Sequence, residues 1–241
     1  MNKNIITMTD SYKFLNNAFL KDVLNILSYF EARAGAKYPE TVFFGLQYLL
    51  KEYLLGRVVT QKMIEDAKVV AKYHLGGENK FNIKMWQYIV DKYDGVLPIE
   101  IKAVPEGTSV PVDNVLMTIT CTDESGVCAG LVNHLETLLT NVWSSCLVAT
   151  KSKFIKNILL TYADRTCDGK EHIKFQLHDF AQRSVKCPEA ASFTGVGHLI
   201  NFYGTDTVLA WENARDYYNG NVENIGSTWH QILSSRPCQM T

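Results

Sequence analysis

Apolar positions in this chain hold a helical period early, alternate through the middle, and return to the helical period from about Leu131. LNNAFLKDVLNILSYFEAR (15–33) reads either as a helix or as a helix running into a strand. PETVFFGLQYLLKEYLLG (39–56) predicts a helix, with Val42, Phe43, Leu46, Leu49, Leu50, Tyr53 and Leu54 on its stripe and Gly56 at its end. TQKMIEDAKVVAKYHLGG (60–77) predicts a second helix, N-capped by Thr60 and stopped at Gly76-Gly77. NIKMWQYIVDKYDG (82–95) predicts a third. In PIEIKAVPEGTSVPVDNVLMTITCTD (98–123) the period drops to two, with turn residues at Pro105-Glu106-Gly107 and Asp113-Asn114. That pattern predicts two or three short antiparallel strands. The helical period resumes from Leu131 to about Tyr162. KFQLHDF (174–180) then alternates like a strand, EAASFTGVGHLINF (189–202) predicts a helix rich in small residues, and GTDTVLAWENARDYYN (204–219) a loop feeding another helix, with Asp206 or Thr207 placed to cap it. Strand, helix, loop, helix is the opening of a βα-repeating unit.

Composition narrows the classes. The 241 residues carry 24 Lys plus Arg against 25 Asp plus Glu, a net charge of -1, so there is no electrostatic footprint for a nucleic acid or an anionic membrane. No uninterrupted apolar run approaches the ~20 residues of a membrane helix, and MNKNIITMTDSYK lacks the apolar core of a signal peptide. Cys121, Cys128, Cys146, Cys167, Cys187 and Cys238 contain no CxxC and no paired Cys/His pattern for zinc. They read as reduced, mostly buried thiols. The expectation is a soluble cytoplasmic protein with no nucleic-acid or membrane partner.

Candidate chemistry gathers at 178–183 and 204–207. In βα architectures ligands sit beyond the carboxyl ends of the strands, which would place His178, Asp179, Phe180 and Arg183 at that rim. Arg183 could hold a phosphate through its fork of donors, and Phe180 could offer a flat face to an aromatic ligand. Spacing alone favours the plainer reading of a core Phe, a capping Asp and a solvated Arg. GTDT is equally well explained as a helix N-cap. His74, His134, His172, His178, His198 and His230 are too dispersed for a ligand set, and no GxSxG, P-loop or GxGxxG occurs.

The ordered strings TDSYK (9–13), SYFEAR (28–33), YPETVFFGLQYLLKEYL (38–54), YDGVLPIEIKAVPEGTSVPVDNVLMTI (93–119), LHDF with Arg183, and NFYGTDTV (201–208) together resemble the nicotinamide phosphoribosyltransferase family. The resemblance implies an α/β protein: an N-terminal α+β domain over 1–150, then the start of an α/β barrel over 151–241, with an atypical tail from about 222. It implies a homodimeric enzyme of NAD salvage that joins nicotinamide to phosphoribosyl pyrophosphate with magnesium, giving nicotinamide mononucleotide and pyrophosphate. Phe180 matches the phenylalanine that stacks on nicotinamide, and Tyr12 the tyrosine that closes the other face from the neighbouring subunit. Arg183 matches the arginine beside the phosphoribosyl group, and Asp206 the aspartate that accepts from the carboxamide. Asp10 belongs to the same N-terminal motif and His178 to the same pocket wall.

Asp206 also bears on substrate choice. Against the carboxylate of nicotinic acid it would face a like charge, a repulsion of about 4 kcal/mol at ~4 Å and an effective dielectric of ~20, or roughly a thousandfold in affinity. Nicotinate phosphoribosyltransferase is therefore the runner-up. Where the family pattern has glycines flanking the segment of Arg183, this chain has Ala181 and Ser184, a hindrance if those positions need positive φ. A barrel begun at Lys174 does not close before Thr241, since such barrels take about 200 residues or more. An incomplete chain, or a non-catalytic dimerising or regulatory piece of the fold, is the remaining expectation.

Overall fold

The computed structural model describes residues 4–20, 22–223 and 225–226. The rest of the tail, with His230 and Cys238, lies outside the described residues. The chain divides into two compact units that interleave in sequence: one of 1–32, 49–104 and 113–141, the other of 33–48, 105–112 and 142–241.

The first unit is built on a three-stranded antiparallel sheet in the order β1 (Leu27–Glu31), β5 (Val115–Cys121), β3 (Ile99–Ala103). Register places Phe30 opposite Met117, and Ile119 opposite Ile101, so one face presents an apolar layer. α5 (Gly130–Leu139) packs on it, α1 (Ser11–Phe19) packs on α5, and α3 (Gln61–His74) packs on α4 (Ile83–Tyr93). Phe30, Met85, Trp86, Ile89, Met117, Ile119, Leu131 and Leu135 are buried; each side chain of this kind contributes about 1.5–3 kcal/mol on leaving water. The helix expected at 60–77 forms as α3, and Thr60 accepts from the Met63 N–H as its N-cap. The third helix forms as α4, capped by Asn82 and ended by Asp94 in the left-handed region. The residues between 15 and 33 resolve as α1 followed by β1.

One expectation here is corrected. Residues 39–56 do not form one helix: Glu40–Val42 is strand β2, Leu46–Leu49 is α2, and Leu50–Leu54 is a π-helical turn. Val42, Phe43 and Phe44 are all buried, so the run satisfies a helical stripe and a fully buried strand equally well.

In the second unit, β2 pairs antiparallel with β4 (Ser109–Pro111), and α6 (Val142–Thr166) packs on β2. The Thr150 hydroxyl accepts from the Val42 N–H at 2.9 Å. α7 (Pro188–His198) lies against both α6 and α8 (Val208–Tyr218). Its small residues permit that approach: a β-carbon on Gly197 would come within 2.8 Å of the Ser145 carbonyl oxygen, and one on Gly195 within 2.9 Å of Ala210 Cβ. Val42, Phe44, Ala149, Val196 and Ala214 form a core cluster, and the Phe44 and Tyr218 rings stack at 4.7 Å.

The strand expected at KFQLHDF is the second correction. Glu171–Phe175 is a 3-10 helix, and the strand-like part shrinks to a single parallel bridge between Asp179 and Thr205. A ladder needs successive partners. Here the backbone bonds between the two segments lie near the ends, where the Lys174 carbonyl accepts from Tyr203 N–H at 2.7 Å and the Asp179 carbonyl from Asp206 N–H at 2.9 Å. In sequence α7 lies between the two bridged residues and α8 follows them.

Candidate functional site

The short parallel bridge fixes where the candidate side chains emerge. Pairing Asp179 with Thr205 brings the HDF segment alongside GTDT, and His178 Nδ1 lies 3.0 Å from Asp206 Oδ2. The His178 side chain is only 7% exposed, whereas that of Asp206 is 27% exposed. His178 Nε2 is buried and has no hydrogen-bond partner among the described residues. A hydrogen placed there would find no acceptor and would leave a bare Nδ1 lone pair facing the acceptor-only Asp206 carboxylate. On Nδ1 the hydrogen is donated to Asp206. That leaves the other oxygen of a partly exposed carboxylate as an acceptor for something else.

A second histidine holds this geometry from behind. His198 Nε2 is 2.9 Å from the Gly204 carbonyl and 3.2 Å from that of Leu177, and its Nδ1 is 3.1 Å from Ser152 Oγ. The ring thereby ties together the residues just before His178 and Thr205. Burial pushes its pKa below the usual histidine value, so it stays a neutral cross-brace. Its ring also stacks on Phe202 at 5.1 Å.

Phe180 leads into a 3-10 turn, Ala181–Arg183, and its ring is 48% exposed. A single exposed aromatic is ordinary on its own; this one matters for its neighbours. The Arg183 guanidinium lies 5.4 Å from the Phe180 ring centre, a cation–π pair, and the His178 and Phe180 rings are 6.5 Å apart. His178, Phe180, Arg183 and Asp206 thus form a string in which His178 touches both the carboxylate and the neighbourhood of the aromatic face. Ser184 has φ -119, and neither Ala181 nor Ser184 is among the positive-φ residues, so the backbone there accepts side chains without strain.

Asp10 and Tyr12 lie in the first unit, at the start of α1. Asp10 Oδ2 accepts from the Thr137 hydroxyl at 2.7 Å, and Tyr12 is 53% exposed. Next to them, Lys13 is buried and paired with Glu136 at 2.5 Å, which anchors the TDSYK segment to α5.

A nicotinamide phosphoribosyltransferase N-terminal domain model matches residues 4–101. A nicotinamide phosphoribosyltransferase of Xanthomonas campestris is 40% identical over 235 residues, covering 96% of this chain and 49% of the relative. One of Acinetobacter baylyi is 34% identical, covering 80% of this chain and 39% of the relative. The chain belongs with the N-terminal half of the nicotinamide phosphoribosyltransferase family. It spans about half the length of the curated relatives it matches. Among solved structures, human nicotinic acid phosphoribosyltransferase superposes with a TM-score of 0.53 over 87% of this chain and 36% of that one, at 15% identity; the likeness is one of fold.

Sequence reasoning missed the parts that Gly204, Thr207 and His198 play in the second-unit site. Gly204 was legible only as a neighbour of a cap, yet a β-carbon there would fall within 2.3 Å of His178 Nε2. Thr207 does occupy the N-cap position of α8, but its hydroxyl makes no capping bond and reaches the Asp179 carbonyl at 3.4 Å instead. His198 carried no local signal at all, since its partners come from α6 and two separate loops.

Proposed function

We propose that this chain provides the nicotinamide-binding part of a phosphoribosyltransferase of NAD salvage, which joins nicotinamide to phosphoribosyl pyrophosphate and releases pyrophosphate. The observation that carries the proposal is the half-exposed Phe180 ring in one string with a partly exposed Asp206 carboxylate that has an oxygen to spare. A planar pyridine ring resting on Phe180 gains apolar burial plus stacking of about 0.5–1.5 kcal/mol. The free oxygen of Asp206 accepts from the carboxamide NH2 in a charge-assisted hydrogen bond. Arg183 supplies positive charge beside the ring for the phosphoribosyl group. In the reaction the ribosyl carbon passes through an oxocarbenium-like state, so what these residues contribute is orientation of the ring nitrogen toward it.

In the same proposal the enzyme is a homodimer, and Tyr12 with Asp10 of a neighbouring copy covers the second face of the base. Among the described residues no three His, Cys, Asp or Glu side chains converge as a metal site. In the same proposal magnesium enters with the diphosphate co-substrate. Among the described residues no helix is long and apolar enough to cross a membrane.

Calorimetric titration of the chain with nicotinamide and with nicotinic acid tests the reading. Preferential binding of nicotinamide is the expected result; equal binding, or binding of nicotinic acid alone, moves the proposal to the nicotinate enzyme.

A further inference from the structure

We propose that His178 is a positioning residue rather than a contact to the base, and that Gly204 exists to seat it. The inference rests on the reading that Asp206 meets the carboxamide. A carboxylate on a short loop turns freely about its side-chain bonds, and each orientation presents a different oxygen. Here the His178 Nδ1–H, 3.0 Å from Oδ2, occupies one oxygen and leaves the other to the ligand. That selection holds only if the imidazole is itself fixed in orientation and in tautomer.

The structure fixes both. The side chain is only 7% exposed, so swinging it outward would leave a cavity where the ring now packs. Among the described residues its Nε2 has no acceptor to give a hydrogen to. The ring edge lies against Gly204, where a β-carbon would come to 2.3 Å from Nε2, 2.5 Å from Cδ2 and 2.8 Å from Cε1. No flexible chain end takes up such an overlap, because three atoms of one rigid ring meet it together. Behind Gly204, its carbonyl is held by His198 at 2.9 Å, so the backstop does not retreat. The sequence Gly-Thr-Asp-Thr thus supplies both ends of one device: the seat of the imidazole and the carboxylate it orients.

Two readouts decide the matter. With the chain labelled with 15N-histidine, long-range proton–nitrogen correlation reports the tautomer of His178 without any ligand. The expected result is hydrogen on Nδ1 and a bare Nε2; hydrogen on Nε2 overturns the proposal. Titration with nicotinamide then compares His178→Leu, His178→Asn and Gly204→Ala. Asn keeps a donor where Nδ1 stands, so it should retain affinity within a few-fold, while Leu and Gly204→Ala should each lose about tenfold. Equal losses for Leu and Asn would mean that His178 fills space and does not orient. If Asp206→Ala leaves nicotinamide binding unchanged, the reading of the base site fails, while the tautomer result still stands for or against the seat. A chain that binds neither base gives the same separation.

Discussion

Two aspartates, one in each unit, show how differently a fold uses the same side chain. Asp123 in the first unit is fully enclosed, and its oxygens accept from Tyr93 Oη at 2.6 Å, Lys92 Nζ at 2.9 Å, Tyr88 Oη at 3.1 Å, and the amide and hydroxyl of Ser125. Burial alone would raise its pKa, yet these donors outweigh burial and hold it well below the usual carboxylate range. Nothing is left for a ligand to take. Among the described residues Asp206 has a single side-chain partner, His178, and it remains partly open to water. A carboxylate saturated by its own chain closes a loop; one supplied with a single donor and an aromatic neighbour is furnished for a visitor.

The largest expected effect sharpens that contrast. Asp206→Asn removes the charge while keeping the shape, so the discrimination against nicotinic acid, roughly a thousandfold in the limit of a 4 Å approach, should largely disappear. Stability should move by no more than about 1 kcal/mol, since one hydrogen bond is altered at a partly exposed site. Titrations with the two bases and one denaturation curve check both halves. Unchanged discrimination would remove the carboxamide reading.

The converse substitution should do the opposite. Asp123→Ala strands two tyrosine hydroxyls, the Lys92 ammonium and the Ser125 amide, and should cost about 3 kcal/mol in chemical denaturation while leaving any preference between the bases untouched. A loss below about 1 kcal/mol would show that water replaces the carboxylate and that the cluster is not what closes the loop.

A pH titration tests the enclosed aspartate on its own. The Asp123 carboxyl is depressed in the folded protein relative to its ordinary value of 3.8. The folded state therefore binds fewer protons than the unfolded chain as acid is added. The stability contributed is full above that ordinary value and drains away as pH falls below about 4 toward the lower folded value. Asp123→Asn should flatten this acid limb. His134 acts one window higher: burial lowers its pKa to about 4 from an ordinary 6.5, so its share is present above 6.5 and lost as pH falls from there to about 4. In the Asp123→Asn chain the upper window should persist and the lower should vanish.

How much of this could be read in the chain depends on the range of the interactions. α3 and α4 were legible because caps and stripe lie within one helix: Thr60 with Met63, Asn82 with Met85. β2 was not, because its last residue, Val42, opens a run of three buried residues that carries no period. Phe180, Arg183 and Asp206 were named from a resemblance, and the structure brings them into one string. What no local pattern could supply is the pairing of His178 with Asp206, 28 positions apart, or the reason for Gly204. That glycine answers a steric demand from a residue outside its own segment. Its role is invisible until the two loops are laid side by side.

The smallest expected effect concerns the aromatic face. A buried phenylalanine cut to alanine costs about 3–5 kcal/mol, but Phe180 is 48% exposed, and its visible partners are the Arg183 guanidinium at 5.4 Å and the His178 ring at 6.5 Å. Phe180→Ala should therefore change stability by less than about 1 kcal/mol. Its cost should appear in binding instead, as about a tenfold loss of nicotinamide affinity with discrimination between the two bases preserved, because stacking does not read the exocyclic group. Phe180→Tyr, which keeps the ring, should recover most of that loss. If Ala instead destabilises the chain by several kcal/mol, Phe180 belongs to the scaffold alongside Asp123, and the open face is not a platform for the base.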